Sequence, residues 1–260
     1  MPTNSSLREF AETPDRFTEI VAGASVRRFA EDRICIVEGP NWASVSGPNV
    51  AVNDVEALVT EVRRRVPADK HVGWWIGPSA QPVDIHARLL GLGLGEPADG
   101  ASLVHAMALA DEPPPIAADV DVRRIEDFDD FAAARSIQWD AFSTPRPRRE
   151  ADQARLGEDF EESQRLGIPV WFLATHDGHP AATALAVPSA RGVFLIGGAT
   201  APSARGLGLY RALVRARWDY AVERGTPALV TEALPDTSYP ILRRIGFEEV
   251  CTVRRLEDLR

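Results

Sequence analysis

The chain has 260 residues, enough for two domains, and 45% of them are hydrophobic, enough for ordinary cores. Its net charge of −9 at pH 7 argues against general nucleic-acid binding, which needs a basic surface. No apolar run could span a membrane and no signal peptide is apparent, so we expect no membrane association. The only cysteines, Cys35 and Cys251, lie in apolar runs, which indicates buried free thiols and a cytoplasmic location.

The first half of the chain alternates apolar runs with helical patterns. A helix is predicted to begin at Asn53, which has capping-box spacing to Glu56. A second helix is predicted over 82–92. Strands are predicted at 33–37, 50–52, 72–76 and 103–108.

A proline-rich stretch at 111–118 predicts a domain boundary, because such a segment is stiff and does not form a helix. We therefore predict a first domain over 1–110, a linker over 111–118 and a second domain over 119–260. The second domain is predicted to begin with an alternating strand at 120–124.

Two helical patterns follow, at 127–142 and, with many charges, at 148–166. Trp139, Asp140 and Phe142 come at the end of the first pattern. They admit two interpretations: the aromatic residues belong to the core with Asp140 on the surface, or all three line a pocket. The pattern favours the first interpretation.

Three short apolar runs come next, at 170–175, 181–187 and 192–196. Asp177-Gly178, between the first two runs, predicts a β-hairpin turn. Gly197 and Gly198 end the third run and indicate a bulge or a close backbone contact.

The most informative segment follows these strands. Arg205, Gly206 and Gly208 precede a helical pattern over 209–224, which Gly225 ends. A glycine loop before a helix presents free backbone N–H groups and a positive helix end to an anion, most often a phosphate. Arg205 adds a charged fork for phosphate oxygens. Beyond the helix we predict a strand at 228–231, a short helix at 238–245 and a last strand at 248–253.

This order of elements resembles the GNAT acyltransferase superfamily over about residues 118–260. The resemblance is carried by the Asp177-Gly178 hairpin, the loop at 200–208 and the segment at 241–247 before the last strand. The family's loop motif, Arg/Gln-x-x-Gly-x-Gly/Ala, begins here at Arg205 and departs from the pattern at Tyr210. The resemblance implies an α/β fold with a mixed, mostly antiparallel central sheet flanked by helices.

The first half shares the end of this order: a strand, a proline-led helix, a glycine and a strand. It has no Arg-x-x-Gly-x-Gly loop before a helix. We therefore predict a degenerate GNAT-like first domain that has lost cofactor binding, packs against the second domain and forms one side of an acceptor pocket.

The resemblance also implies the site. Its loop holds the pyrophosphate of acetyl-CoA, and the strand end before it contacts the pantetheine arm and the acyl carbonyl. The cofactor-binding residues implied are Ala199, Thr200, Ala201, Arg205, Gly206, Leu207, Gly208, Leu209 and Tyr210.

The catalytic acid departs from the family pattern. Leu242 stands where many members have a tyrosine. Tyr239, one helical turn earlier, is the candidate acid, with a packing role as its alternative. Glu232, near a strand end, is the candidate base, and Asp236 is a weaker candidate that is better explained as a helix cap.

The implied activity is transfer of an acetyl group from acetyl-CoA to an amine of a small molecule or peptide, without a covalent enzyme intermediate. The alternative is a non-catalytic, regulatory CoA-binding module. A P-loop nucleotide site is disfavoured because no Gly-Lys-Ser/Thr follows the glycines. His176 and His179 flank a turn without evident further ligands, so we predict no metal. We expect a monomer or a homodimer.

Overall fold

The structure is a computed structural model that describes residues 4–98, 100–115 and 120–259. The chain divides into two compact units. The first unit comprises Pro2–Ala108, Glu232–Arg244 and Glu248–Arg260, and the second unit comprises Leu109–Thr231 with Ile245–Phe247. The last strand of the chain therefore belongs to the same unit as the N-terminal half.

Helices and strands alternate along most of the chain. The α-helices are α1 (Asn4–Glu12), α2 (Val55–Arg65), α3 (Ile85–Gly91), α4 (Phe128–Ala141), α5 (Arg146–Ala154), α6 (Leu156–Leu166), α7 (Leu209–Glu223) and α8 (Ser238–Ile245). The strands are β1 (Arg27–Glu31), β2 (Ile34–Glu38), β3 (Trp42–Ser46), β4 (His71–Ile76), β5 (Leu94–Gly95), β6 (Leu103–Leu109), β7 (Asp121–Arg124), β8 (Val170–His176), β9 (His179–Ser189), β10 (Gly192–Thr200), β11 (Leu229–Ala233) and β12 (Glu248–Asp258). Short 3-10 turns lie at Pro14–Arg16, Val52–Asp54 and Pro202–Ala204.

The first unit contains a mixed sheet with the strand order β1-β2-β3-β4-β12-β6, and β5 pairs with β12. β3 and β4 are parallel, and the other pairs are antiparallel. Helices α2 and α3 pack apolar side chains on this sheet, where Val59, Trp74, Leu89 and Leu256 are buried in one cluster. Removing this apolar surface from water is what holds the unit together.

The second unit contains strands in the order β7-β8-β9-β10-β11, with β11 counted through Thr231. β10 and β11 are parallel, and the other pairs are antiparallel. Successive side chains of a strand point to opposite faces of a sheet. Leu173 accordingly packs with Phe131 of α4, whereas its neighbour Phe172 contacts Tyr220 of α7. Helices α4 and α7 thus cover opposite faces, and the predicted fold class is confirmed.

The predicted hairpin is confirmed. His176 pairs with His179 across a two-residue turn in which Asp177 has φ +51° and Gly178 has φ +76°. Two positive φ values define the turn type that matches the twist of a hairpin. Helix α7 also agrees with its prediction, and Gly225, with φ +73°, follows the helix as expected.

Two local predictions are wrong. The charged pattern at 148–166 forms two helices, α5 and α6, that break at Arg155. The break allows Leu156 and Phe160 to pack on the α4 cluster, while α5 buries no residue. Residues 50–52 do not form a strand: β3 ends at Ser46, Gly47, with φ +59°, turns the chain, and a 3-10 turn begins at Val52.

β12 pairs with β4 and β6, and the first compact unit therefore includes the last strand of the chain. Part of the predicted linker, residues 116–118, and the predicted first residue of the second domain, Asp119, lie outside the described residues. The division at 111–118 stays a prediction.

Both cysteines are free thiols, as predicted; Cys35 is buried as expected, whereas Cys251 is only partly buried. Burial raises the pKa of Cys35 to about 11 and that of Cys251 to about 12. The thiols therefore remain protonated near neutral pH and are weak nucleophiles. Within the described ranges, no helix combines the length and apolar character needed to cross a membrane.

Candidate functional site

β10 contains the bulge that its glycines indicated. Between Ile196 and Ala199 the strand advances three residues while β9 advances two, from Leu185 to Thr183. One residue of β10 is therefore extra. Gly197 has φ +61°, a conformation that glycine adopts without a steric penalty. The predicted bulge is confirmed.

β10 separates from β11 at this bulge. Parallel pairing covers only Val193–Leu195 and Leu229–Thr231. The described residues 196–200 form no ladder with β11. An unpaired strand edge presents backbone N–H and C=O groups that can bind another molecule. The edge between the bulge and the end of β10 is thus available to a ligand.

The three predicted contact residues at this end differ in their availability. Ala199 is buried against the α4 cluster and Thr200 is half-buried. The N–H of Ala201 donates to the carbonyl of Ala181 at 2.9 Å. The Ala201 amide is therefore occupied by β9. Alternate residues of a strand turn their N–H groups to the same neighbour, so Ala199, paired with Thr183, also faces β9, and of the three residues only Thr200 faces away from it.

The glycine loop follows as predicted. Arg205 is exposed and has an extended backbone. Gly206 and Gly208 have φ +84° and +80°, and among the described atoms none lies within 4 Å of the position that a Cβ would occupy at either glycine. Both glycines are therefore required by backbone conformation, and the space beside them is open.

The N-terminus of α7 meets this open space. Gly208 is its N-cap, no described side chain caps it, and its first turn contains no acidic residue. The first N–H groups of a helix have no partner within the helix, and the helix dipole makes this end positive. The buried Leu209 anchors the helix start, whereas Leu207 is exposed. This arrangement fits a phosphate-bearing ligand.

Tyr210, the departure from the family motif, turns toward the sheet. A Cβ on Gly198 would lie 2.8 Å from Cε2 of its ring, so the ring fits because residue 198 is glycine. Burial raises the pKa of the Tyr210 phenol, and the nearby Arg217 lowers it. The tyrosine therefore packs on the bulge and does not obstruct the open side of Gly208.

Sequence reasoning missed two buried polar residues near the bulge. Gln138 of α4 donates from Nε2 to the carbonyl of Gly197 at 2.9 Å. Arg217 of α7 is 1% exposed and donates from Nε to the carbonyl of Leu213 at 2.9 Å. Each interrupts the apolar face of its helix, and this was the signal in the sequence that could have revealed them.

Glu232, the predicted base, belongs to the first unit. Burial, assisted by the Asp15 carboxylate and opposed by Arg255, raises its pKa to about 8. Such a carboxyl exchanges its proton near neutral pH, as a general base must. Its role in catalysis stays a prediction.

Tyr239, the predicted acid, also belongs to the first unit. Its hydroxyl donates to Oε2 of Glu249 at 2.8 Å, and this hydrogen bond raises the pKa of the phenol. Oε1 of the same carboxylate lies 3.0 Å from Nδ1 of His105, whose ring centroid is 4.2 Å from that of Tyr239. The phenol therefore has a structural partner, and its role as an acid stays a prediction.

Leu242, in the place of the family's tyrosine, is fully buried. It can neither donate a proton nor meet a ligand there. Asp236 is exposed; the hydroxyl that bonds to the backbone before α8 belongs to Ser238, which accepts from the N–H of Leu234 at 2.9 Å.

The residues at the end of α4 have separate environments. Trp139 is buried and its Nε1 donates to Oδ2 of Asp152 at 3.1 Å. Asp140 accepts from Arg149 at 2.9 Å on the surface. Phe142 is 55% exposed. The interpretation of Trp139 as core and Asp140 as surface is confirmed, whereas the placement of Phe142 in the core is wrong.

The first unit has a cleft of about 660 Å³ at the ends of β3 and β4. Its lining includes the cations Arg8 and Arg16 and the anions Glu9, Glu12 and Asp32. Because both charges are present, the cleft does not select an anion as the loop before α7 does. Across the described part of the chain, no group of three or more His, Cys, Asp or Glu side chains could hold a metal ion.

Comparison with known proteins agrees with this geometry. The family model described as "Acetyltransferase (GNAT) family" matches residues 131–247, which include the bulge and the glycine loop. No curated protein sequence matches the chain.

Solved structures resemble the chain over most of its length. A GCN5-related N-acetyltransferase from Kribbella flavida has a TM-score of 0.67 and 18% identity, with 91% of this chain and 90% of that chain covered. A tandem GNAT protein from the clavulanic acid biosynthesis pathway has a TM-score of 0.58 and 14% identity, with 98% and 95% covered. A GCN5-related N-acetyltransferase from Sphaerobacter thermophilus has a TM-score of 0.56 and 18% identity, with 87% and 80% covered. At these identities the likeness concerns the fold.

Proposed function

We propose that the chain, whose residues 131–247 match the model of the GNAT acetyltransferase family, transfers an acetyl group from acetyl-CoA to a primary amine. GNAT proteins use acyl-CoA as the acyl donor. The observation that carries the proposal is the end of β10, where a bulged, unpaired strand edge leads through Gly206 and Gly208 into the uncapped N-terminus of α7.

The parts of this segment match the parts of an acyl-CoA. The N–H groups at the start of α7 and the guanidinium of Arg205 would bind the pyrophosphate. The unpaired edge of β10, from the bulge to Thr200, would bind the pantetheine amides as a neighbouring strand does. A backbone N–H near the bulge that is not turned toward β9, that of Gly198 or Thr200, would donate to the oxygen of the thioester carbonyl, where negative charge develops.

The chemistry needs no covalent intermediate on the enzyme. The neutral amine nitrogen attacks the thioester carbonyl carbon, and the new C–N bond forms as the C–S bond breaks. The amine loses one proton to a base, for which Glu232 is proposed because its pKa is raised to about 8. The CoA thiolate leaves and is protonated, with Tyr239 proposed as the donor.

The acceptor is proposed to be an amine of a small molecule or peptide. The net charge of −9 favours a cationic acceptor, since an acidic surface attracts cations. The protein is further proposed to act in the cytoplasm, as a monomer or homodimer, without a metal.

The test is release of CoA thiol from acetyl-CoA, with and without amines. A polyamine, a lysine-containing peptide and an uncharged aromatic amine form a first panel. We expect thiol release that depends on an amine, and acetylated product in equal amount by mass spectrometry. Binding of acetyl-CoA with no amine-dependent release for any of a broad set of amines would favour a non-catalytic CoA-binding module. Failure to bind acetyl-CoA would contradict the proposal.

A further inference from the structure

A chain of hydrogen bonds holds the β10 bulge from one side. Gln138 is 6% exposed and lies on the buried face of α4. Its Nε2 donates to the carbonyl of Gly197 at 2.9 Å, and its Oε1 accepts from Nη1 of Arg135 at 3.1 Å. The carbonyl at the centre of the bulge is thus held by a side chain.

Arg135 fixes which way the amide of Gln138 points. A guanidinium can only donate and a carbonyl oxygen can only accept. The amide oxygen of Gln138 must therefore face Arg135, and its NH₂ group must face Gly197. Were the amide rotated by half a turn, it would place two donors together at Arg135 and two acceptors together at Gly197.

Arg135 is in turn held by α5. Its Nη2 donates to Oδ2 of Asp152 at 2.9 Å, and Trp139 donates to the same oxygen at 3.1 Å. Arg148 donates to Oδ1 of Asp152 at 3.0 Å. The carboxylate thereby links α5 to α4, and through Arg135 and Gln138 to the bulge.

The bulge also has no room for a side chain at position 197. A Cβ at Gly197 would lie 2.6 Å from Cδ1 of Leu185 and 2.8 Å from Nε2 of Gln138. Glycine at this position therefore lets Gln138 come close enough to bind the carbonyl. Because the peptide unit is planar, the direction of the Gly197 carbonyl fixes the direction of the Gly198 N–H, which points the opposite way.

We infer that Gln138 is a positioning residue for acyl transfer, and that Arg135 and Asp152 act through it. By holding the Gly197 carbonyl, Gln138 sets the direction of the Gly198 N–H, in the same peptide unit, toward the thioester oxygen. This inference rests on the proposed function. It predicts an effect on the chemical step, because donors aimed at developing charge stabilise the transition state more than the bound substrate.

The test compares Gln138→Glu with Gln164→Glu. The first variant keeps an acceptor for Arg135 but places a carboxylate against the Gly197 carbonyl. Gln164 of α6, which is exposed, makes the same type of bond, from Nε2 to the carbonyl of Ile125 at 3.2 Å, and supplies the control for replacing an amide by a carboxylate at a backbone carbonyl. We expect Gln138→Glu to lower kcat by about a hundredfold, the typical effect of losing an oxyanion donor. The Kd of CoA should change by less than about twofold, because the phosphates bind at the α7 N-terminus.

Gln138→Met provides a second variant, which removes the donor without adding a charge. It should likewise lower kcat while the Kd of CoA stays nearly unchanged. Arg135→Met should lower kcat by about tenfold through misorientation of the amide. The double variant Arg135→Met/Gln138→Met should be no slower than Gln138→Met alone, because residues that act through one another are not additive.

The outcomes separate the inference from the proposed function. If the wild-type protein is active and its Gln138 variants keep the wild-type kcat, the inference alone is overturned. The inference alone is also overturned if these variants lose kcat and CoA affinity together, as an unfolded variant would. A wild-type protein that does not bind acetyl-CoA overturns the proposed function and the inference with it. A loss of kcat alone, absent in Gln164→Glu, supports both.

Discussion

Each unit has a pair of parallel strands followed by a turn and a helix, and the two pairs end differently. In the second unit, β10 and β11 pair over three residues, Val193–Leu195 with Leu229–Thr231. In the first unit, β3 and β4 pair over five residues. The segments that follow these two strands pair once more, where Asn49 forms a bridge with Gln81. The N–H of Gln81 donates to the carbonyl of Pro48 at 2.9 Å and closes the gap.

The helices that follow these pairs also differ at their N-termini. Helix α7 begins at Gly208 with no acidic residue in its first turn. Helix α2 has Asp54 as N-cap and Glu56 in its first turn. Two carboxylates there occupy the positive end of the helix and repel a phosphate. The first unit is thus both closed by backbone pairing and unfavourable for an anion.

Glu12 adds to the closure. The carboxylate of this last residue of α1 accepts from the N–H of Ser79 at 2.7 Å and packs against Gly77. The same arrangement of strands and helix therefore becomes a ligand site or a structural element according to three local features: pairing after the strands, glycine at the helix start and the charge of the first turn.

The largest expected effect is at the glycine loop. Gly208→Leu should weaken acetyl-CoA binding by about a thousandfold, because losing two charge-assisted hydrogen bonds costs about 4 kcal/mol. Gly225→Leu is the matched control. Gly225 follows the other end of α7, has φ +73°, and likewise has no described atom within 4 Å of a Cβ. Calorimetric titration of both variants measures the difference, and equal loss of affinity in the two would contradict the assignment of the loop.

The next effect concerns pH. If Glu232 is the base, kcat/KM rises as the carboxyl loses its proton and levels off above a pKa of about 8. Glu232→Gln should lower kcat/KM at pH 9 by about a hundredfold and remove this rise. The exposed Asp236→Asn, the same chemical change nearby, should leave the profile unaltered. With the aromatic amine as acceptor, which is neutral throughout this range, a Glu232→Gln profile that still rises through pH 8 would exclude Glu232 as the base.

A smaller effect is expected at Arg205. Arg205→Met should weaken acetyl-CoA binding by about tenfold, since an exposed guanidinium bound to phosphate contributes about 1.5 kcal/mol. The loss should shrink as salt is raised from 0.05 to about 0.5 M, because salt screens exposed charges. Arg224→Met, at the far end of α7, is the control. An affinity difference between them that does not depend on salt would argue against a phosphate contact.

The smallest effect tests the closure of the first unit. Glu12→Ala leaves the Ser79 N–H without its acceptor and should lower the free energy of unfolding by about 1 kcal/mol. Glu12→Gln keeps an acceptor oxygen and should lie near wild type. Urea unfolding provides the measurement. Acetyl-CoA binding should be unchanged in both variants; a second binding site appearing in Glu12→Ala would mean that α1 alone closes the first unit.

Short sequence patterns predicted the turns, the bulge and the helix ends of the site, because these depend on a few neighbouring residues. Asp177-Gly178, Gly208 and Gly225 sit where the chain needs positive φ, and a few neighbouring residues suffice to indicate such positions. The bulge at Gly197-Gly198 was indicated in the same way. The order of strands, loop and helix then followed from hydrophobic periodicity.

Features that depend on distant partners could not be predicted. Gln138 and Gly197 are 59 residues apart, so nothing local shows that one holds the other. The pairing of β12 with β4 joins Arg254 to Ile76 across most of the chain. The break between α5 and α6 follows from packing of Leu156 and Phe160 on α4, which overrides the helical pattern.

The most direct test of the difference between the units is the stoichiometry of acetyl-CoA binding to the wild-type chain by calorimetry. The open end of β10 and the closed end of β3 predict one molecule of acetyl-CoA bound per chain, and none in Gly208→Leu. Two molecules per chain, or one that remains bound in Gly208→Leu, would contradict the account.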